Sequence, residues 1–149
     1  MTQTIGLFAL GVLLLALGAD SFVKGMQGLA LRVRASLFAV GASVAVDGVC
    51  LTATALHGDA ADFDVMQQTL SLTTLGALKQ GSSVNAERAA KQGAEVGGHV
   101  LSGHIDFQAT IAQVREPENN RVLRIAVPAP WMRYVFAKGY IAINGASLT

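Results

Sequence analysis

Cysteine is almost missing from this chain: Cys50 is the only one among 149 residues. An intramolecular disulfide is therefore excluded, and a reducing compartment fits, which makes a cytoplasmic location the expectation. Charge is scarce as well. Asp, Glu, Lys and Arg together make up 14% of the chain, and the formal net charge is +1. No basic face comes from that balance, so nucleic acid is a poor partner. Aromatic residues are 6% of the chain, too few for a base-stacking surface. Three nucleotide and hydrolase signatures are also missing: the P-loop, a GxGxxG after a strand, and the GxSxG elbow. His99 and His104 stand five apart in a Gly-rich stretch, which is not the spacing that puts two ligands on one helical face. With one cysteine and no carboxylate pair nearby, no metal site is expected. A Cys50–His nucleophile pair gains nothing from the spacing either, and a small core cysteine is the commoner case.

What is present is apolar and β-prone. Hydrophobic residues are 52% of the chain, and 16 glycines stand against 3 prolines. Gly with many Val, Ile, Leu and Thr suits short strands joined by tight turns. The first long feature is the run IGLFALGVLLLALGA at Ile5–Ala19. It has the length of a signal-peptide core and falls short of the roughly 20 residues that span a bilayer. No Lys or Arg precedes it, and Asp20 and Lys24 break the apolar pattern after it. A buried strand, a core helix, a membrane attachment and a diverged segment stay open, with the membrane the weaker expectation.

The chain then repeats itself. Residues 41–52 read GASVAVDGVCLT and residues 138–149 read KGYIAINGASLT. Aligned without gaps, Ala45 meets Ala142, Gly48 meets Gly145, Leu51 meets Leu148 and Thr52 meets Thr149. Upstream, Leu31-Arg-Val-Arg-Ala35 loosely matches Leu123-Arg-Ile-Ala-Val127. This ordered set indicates duplication. Asp47-Gly48 and Asn144-Gly145 are the dipeptides that supply positive φ to a two-residue hairpin turn. In the strand after the first turn, Cys50, Thr52 and Thr54 share one face and Leu51 takes the other. That polar face fits a solvent-facing strand or a pocket wall that bonds a polar heterocycle. Further strand signals fall at Ala61–Met66, 81–88, Ile105–Arg115 and Arg121–Val127. Pro128–Phe136 predicts a short helix with Pro at its start. Turn signals roughly every 8–12 residues point to an all-β barrel or sandwich, one barrel per repeat.

These motifs taken together resemble the riboflavin synthase family. The resemblance rests on GASVAVDGVCLT, the MxxTL element at Met66–Leu70, TTLGALKQGSSVNAERA at Thr73–Ala89, GGHVLSGHID at Gly97–Asp106, ENNRVLRIAVPAPWMRYVFAKG and KGYIAINGASLT. It covers about residues 36–149. The resemblance implies an all-β fold of two related six-stranded Greek-key barrels. The first would occupy residues 1–98, with residues 1–30 atypical. The second would occupy residues 99–149 and stop before its last strands, an acidic residue and a trimer-forming helix. The implied reaction is a dismutation of two 6,7-dimethyl-8-ribityllumazine molecules, one giving a four-carbon unit to the other. It needs no metal and no redox cofactor. A homotrimer is implied, with lumazine synthase as a further partner.

Carried over residue by residue, the catalytic candidates are His104, Cys50 and Ser147. His104 would move the proton, because histidine is the side chain that changes charge nearest neutral pH. Ser43, Cys50, Leu51 and Thr52 would line the first site, completed by Asp64, Val65, Met66, Gln67, Gln68 and Thr69. Gly103, His104 and Ile105 would sit where the two sites meet. Lys138, Ser147, Leu148 and Thr149 would begin the second site. Three departures stand out: Met1–Phe8 replaces the family's short start with its early aromatic, Gln68 stands where Glu is usual, and Asn144 stands where Asp is common.

Overall fold

The computed structural model describes residues 30–34 and 38–149. The apolar run at residues 5–19 and the departure at Met1–Phe8 lie outside the described residues. Among the described residues no helix is long and apolar enough to cross a membrane.

The described chain is β-rich, as the turn spacing predicts. Strands β1 (Ala30–Arg34), β2 (Ser43–Val46), β3 (Val49–His57), β4 (Ala60–Asp64) and β5 (Ala86–Arg88) form one antiparallel sheet, in the order β1-β4-β3-β2-β5. Helix α1 (Gln67–Leu72) and a 3₁₀ turn (Thr74–Ala77) come after β4 and close its end. Alternation places the core. Val44 and Val46 on β2, Val49, Leu51 and Ala53 on β3, and Ala61 and Phe63 on β4 all point inward, joined by Val33, Val65 and Leu75. Thr54 is the extra residue of a β-bulge in β3: Ala53 pairs with Phe63, Ala55 pairs with Asp62, and the Thr54 hydroxyl donates to the Asp62 carbonyl at 3.1 Å.

The second repeat builds two antiparallel hairpins. Strands β6 (Thr110–Arg115) and β7 (Val122–Ala126) form one, and β8 (Ile141–Ile143) and β9 (Ala146–Leu148) the other. Between them Ala129–Tyr134 form a 3₁₀ turn that begins just after Pro128. The expected strand from Ile105 starts later, at Thr110. Residues Ile105–Gln108 are held by side chains instead: Ile105 packs on the core of the first repeat and Phe107 stacks on Trp131 with centroids 5.1 Å apart. None of residues 99–149 is fully buried, so the buried core of the described chain belongs to the first repeat.

Thr73 joins the helix to the 3₁₀ turn. Its hydroxyl donates to the Thr69 carbonyl at 2.7 Å and accepts the Leu75 N–H at 3.3 Å, while the residue is only 5% exposed. Thr73→Val keeps the shape and removes both bonds. It should cost about 1–2 kcal/mol, read as a lower urea midpoint at unchanged slope.

Candidate functional site

The two hairpin turns are built alike and touch each other. Asp47 and Gly48 have φ of 47° and 81°, and Asn144 and Gly145 have 51° and 86°. Both pairs therefore hold positive φ at each central residue, as the sequence predicts. The turns lie so close that a Cβ built on Gly48 would fall 2.6 Å from the Asn144 carbonyl carbon and 2.7 Å from Gly145 Cα. Only glycine on glycine allows this approach. Asp47 also ties β5 in place: its carboxylate accepts the Asn85 N–H, and its own N–H donates to the Asn85 carbonyl, each at 2.8 Å.

The segment 97–106 runs along this junction and touches equivalent residues of the two repeats. The Cys50 N–H donates to the Gly103 carbonyl at 2.8 Å, and a Cβ on Gly103 would stand 2.7 Å from that of Cys50. On the other side, a Cβ on Gly98 would stand 2.5 Å from Ser147 Oγ. The His99 N–H donates to that Oγ at 3.1 Å, and His99 Nδ1 lies 2.6 Å from it. The His99 ring stacks on Tyr140, with centroids 5.2 Å apart. Cys50 and Ser147 are partners in the repeat alignment, so each hairpin receives one Gly-His dipeptide at the same strand position.

The expected site residues fall into distinct places. Ser43 and Thr52 are register partners across β2 and β3 and both are exposed; Cys50 beside them is half-buried. Leu51 and Val65 turn their side chains into the core, 7% and 1% exposed. Asp64 ends β4, Met66 caps α1, and Gln67, Gln68 and Thr69 form its first turn. Gln67 lines a shallow cavity of about 420 Å³ with Thr73 and Gln108. Gly103, His104 and Ile105 line a larger cavity of about 920 Å³. The His104 backbone N–H donates to Ser102 Oγ at 3.2 Å, and the residue is exposed. Lys138 sits at φ 59° in the turn before β8, and Leu148 pairs with Ile141. Thr149 comes directly after β9 and is exposed.

The larger cavity has apolar walls from Ile111, Leu123, Ile125, Val127, Trp131 and Ile143, and a polar rim that includes Asp47, His99, His104, Asp106 and Asn144. Its size and its mix of apolar wall and a few polar groups suit a small heterocycle. Residue patterns alone pass over two of its features. His99 is visible as part of GGH, but its bond to Ser147 spans 48 residues. Gln108 carries no motif at all, yet its amide donates to the carbonyls of Ser71 and Thr73, each at 3.2 Å, pinning the second repeat to the helical corner of the first. Among the described residues no three of His, Cys, Asp and Glu come together as metal ligands would.

The Lumazine binding domain family matches residues 20–89 and 102–149 of this chain. Riboflavin synthase of Escherichia coli (strain K12) is 49% identical over 110 residues, which are 73% of this chain and 52% of that protein. Riboflavin synthase of Actinobacillus pleuropneumoniae is 44% identical over 110 residues, 74% of this chain and 51% of that protein. Riboflavin synthase of Mycobacterium tuberculosis (strain ATCC 25618 / H37Rv) is 46% identical over 110 residues, 73% and 55%. The chain thus spans about half the length of the curated relatives it matches. Among solved structures, LumP complexed with 6,7-dimethyl-8-(1'-D-ribityl) lumazine superposes with a TM-score of 0.63 at 29% identity, over 74% of this chain and 58% of that one. LumP complexed with riboflavin gives 0.65 at 30% identity, over 74% and 59%.

Proposed function

The chain belongs to the lumazine binding domain family, and from that premise we propose that it serves riboflavin biosynthesis as a riboflavin synthase. In this reading two 6,7-dimethyl-8-ribityllumazine molecules react; one gives a four-carbon unit to the other, leaving riboflavin and 5-amino-6-ribitylaminopyrimidinedione. The observation that carries it is the junction of the two repeats, where two equivalent strands each meet a Gly-His dipeptide beside one cavity. A reaction between two copies of one substrate needs two related seats held in fixed geometry.

The C7 methyl of the lumazine is acidic because its anion spreads into the ring, so the protein's main tasks are orientation and proton movement. His104 is the group we assign to the proton. Cys50, Thr52 and Thr149 offer small polar side chains to the ring edges and ribityl hydroxyls, and Ser147 stands in the second seat behind His99. Ser43, residues 64–69, Gly103, Ile105, Lys138 and Leu148 complete the two seats. We take residues 1–98 and 99–149 as two Greek-key barrels, assembled in a cytoplasmic homotrimer in which barrels of neighbouring subunits face each other. Lumazine synthase is the partner whose product this reaction consumes.

A second reading has its own support. The LumP structures hold a lumazine or riboflavin, which supports a reading as a non-enzymatic lumazine or flavin carrier. Mixing the purified chain with 6,7-dimethyl-8-ribityllumazine separates the two. Riboflavin fluorescence that grows with time supports the enzyme. Saturable binding with no riboflavin sinks the enzyme and leaves the carrier. Thr52→Val should weaken lumazine binding roughly fivefold, the worth of about one hydrogen bond. Because Thr52 is exposed, its stability should stay within about 0.5 kcal/mol of the parent.

A further inference from the structure

The two Gly-His dipeptides occupy equivalent places but are held differently. On the first hairpin, the bond runs from backbone to backbone, Cys50 N–H to the Gly103 carbonyl, and the neighbouring His104 ring has no hydrogen-bond partner among the described residues. On the second, the bonds run to a side chain. Ser147 Oγ accepts the His99 N–H at 3.1 Å and lies 2.6 Å from the ring's Nδ1, while the ring face rests on Tyr140. One imidazole has no hydrogen-bond partner among the described residues, and the other is held on two sides.

The chemistry of the hydroxyl sets the proton arrangement. Ser147 Oγ already accepts one hydrogen bond, from the His99 backbone N–H. Its own O–H can donate to Nδ1, 2.6 Å away. A hydroxyl that donates to Nδ1 selects the neutral ring with its proton on Nε2. His99 then offers a directed N–H to the cavity that it lines.

We propose that Ser147 is a positioning residue acting through His99, so that the second seat presents a fixed imidazole donor where the first presents the unbonded ring of His104. This role rests on the two-seat reading and deepens it. Two equal seats would bind two lumazines alike, yet one molecule must give the four-carbon unit and the other must receive it. A locked donor can hold the carbonyl or ring-nitrogen edge of one molecule. A ring free of bonds can take a proton from the other and release it. The duplicated fold thereby becomes chemically unequal at one pair of equivalent positions.

Two measurements on the purified chain test this. The first needs no ligand: long-range proton–nitrogen correlation NMR of the histidine rings. In the parent, His99 should appear as a single Nε2–H tautomer. In Ser147→Ala, the two ring nitrogens should move toward averaged shifts while His57 and His104 stay in place, and Ser147→Thr should restore the locked pattern. A ring protonated on Nδ1, or one that ignores Ser147→Ala, overturns the proposal.

The second is a cycle of His99→Ala, Ser147→Ala and the double variant, read as affinity for 6,7-dimethyl-8-ribityllumazine. Each single change should weaken binding roughly fivefold, and the double should be no weaker than His99→Ala alone. Losses that multiply in the double mean that Ser147 meets the ligand itself, which overturns its role as a support. If the parent binds no lumazine, the two-seat reading fails, while the NMR result still decides how Ser147 treats His99.

Discussion

Alanine in place of Gly48 should loosen the junction between the repeats and lower stability by more than its backbone strain alone. Two costs add. The backbone there has φ of 81°, where an L side chain costs about 1–2 kcal/mol. The added methyl would also press into the Asn144–Gly145 backbone, which has no flexible side-chain end to swing aside. The turns must therefore separate, and they carry with them the strands that meet Gly103 and His99. Gly41→Ala separates the two costs. Gly41 has a similar φ of 82°, but a Cβ there meets nothing within 4 Å. Its loss in urea should equal the backbone cost alone, and the excess for Gly48→Ala measures the crowding. Amide shifts should also move at Cys50, His99 and Ser147 in Gly48→Ala and stay put in Gly41→Ala. Equal losses for the two variants would show that the turns do not press on each other in solution.

Phe63→Ala should be the most damaging core change, at about 3–5 kcal/mol. The Phe63 ring is fully buried on β4 and meets Phe38 edge-on, with centroids 6.5 Å apart and planes at 74°. Phe63 shares one buried core with Val44, Val46 and Leu75, and a close-packed core leaves little room for collapse. The loss is a large share of the roughly 5–15 kcal/mol that holds a typical domain together. Urea unfolding should show a much lower midpoint, and the second repeat should unfold with the first, because none of residues 99–149 is fully buried. A drop below about 1 kcal/mol would mean that the sheet carries its stability elsewhere.

Local chemistry made part of this fold legible in advance. Asp47-Gly48 and Asn144-Gly145 announce their turns because positive φ is a property of two adjacent residues. The split of Leu51 from Cys50 and Thr52 comes from strand alternation, and the structure buries Leu51 and leaves Thr52 exposed. Pro128 marks the start of its 3₁₀ turn for the same local reason. The rest depends on what lies across the molecule. Residues 105–109 alternate well enough to read as strand, yet the structure gives Ile105 to the first core and Gln108 to two carbonyls left open at the end of α1. No periodicity records which carbonyls lack a partner. The His99–Ser147 pair is hidden likewise: both residues sit in recognisable motifs, but their bond exists only because the two turns meet.

That meeting has a consequence for how such a chain arose. Gly48 touches Gly145, which is its own counterpart in the other repeat. A two-fold axis is the simplest relation that brings a residue against its own equivalent, and a contact across such an axis is self-complementary. Two separate copies of a single-repeat ancestor would have met at this same glycine, each offering the other an identical surface. Fusing two such copies would have needed only to join partners already paired, leaving positions such as 50 and 147 free to differ, as cysteine and serine do here.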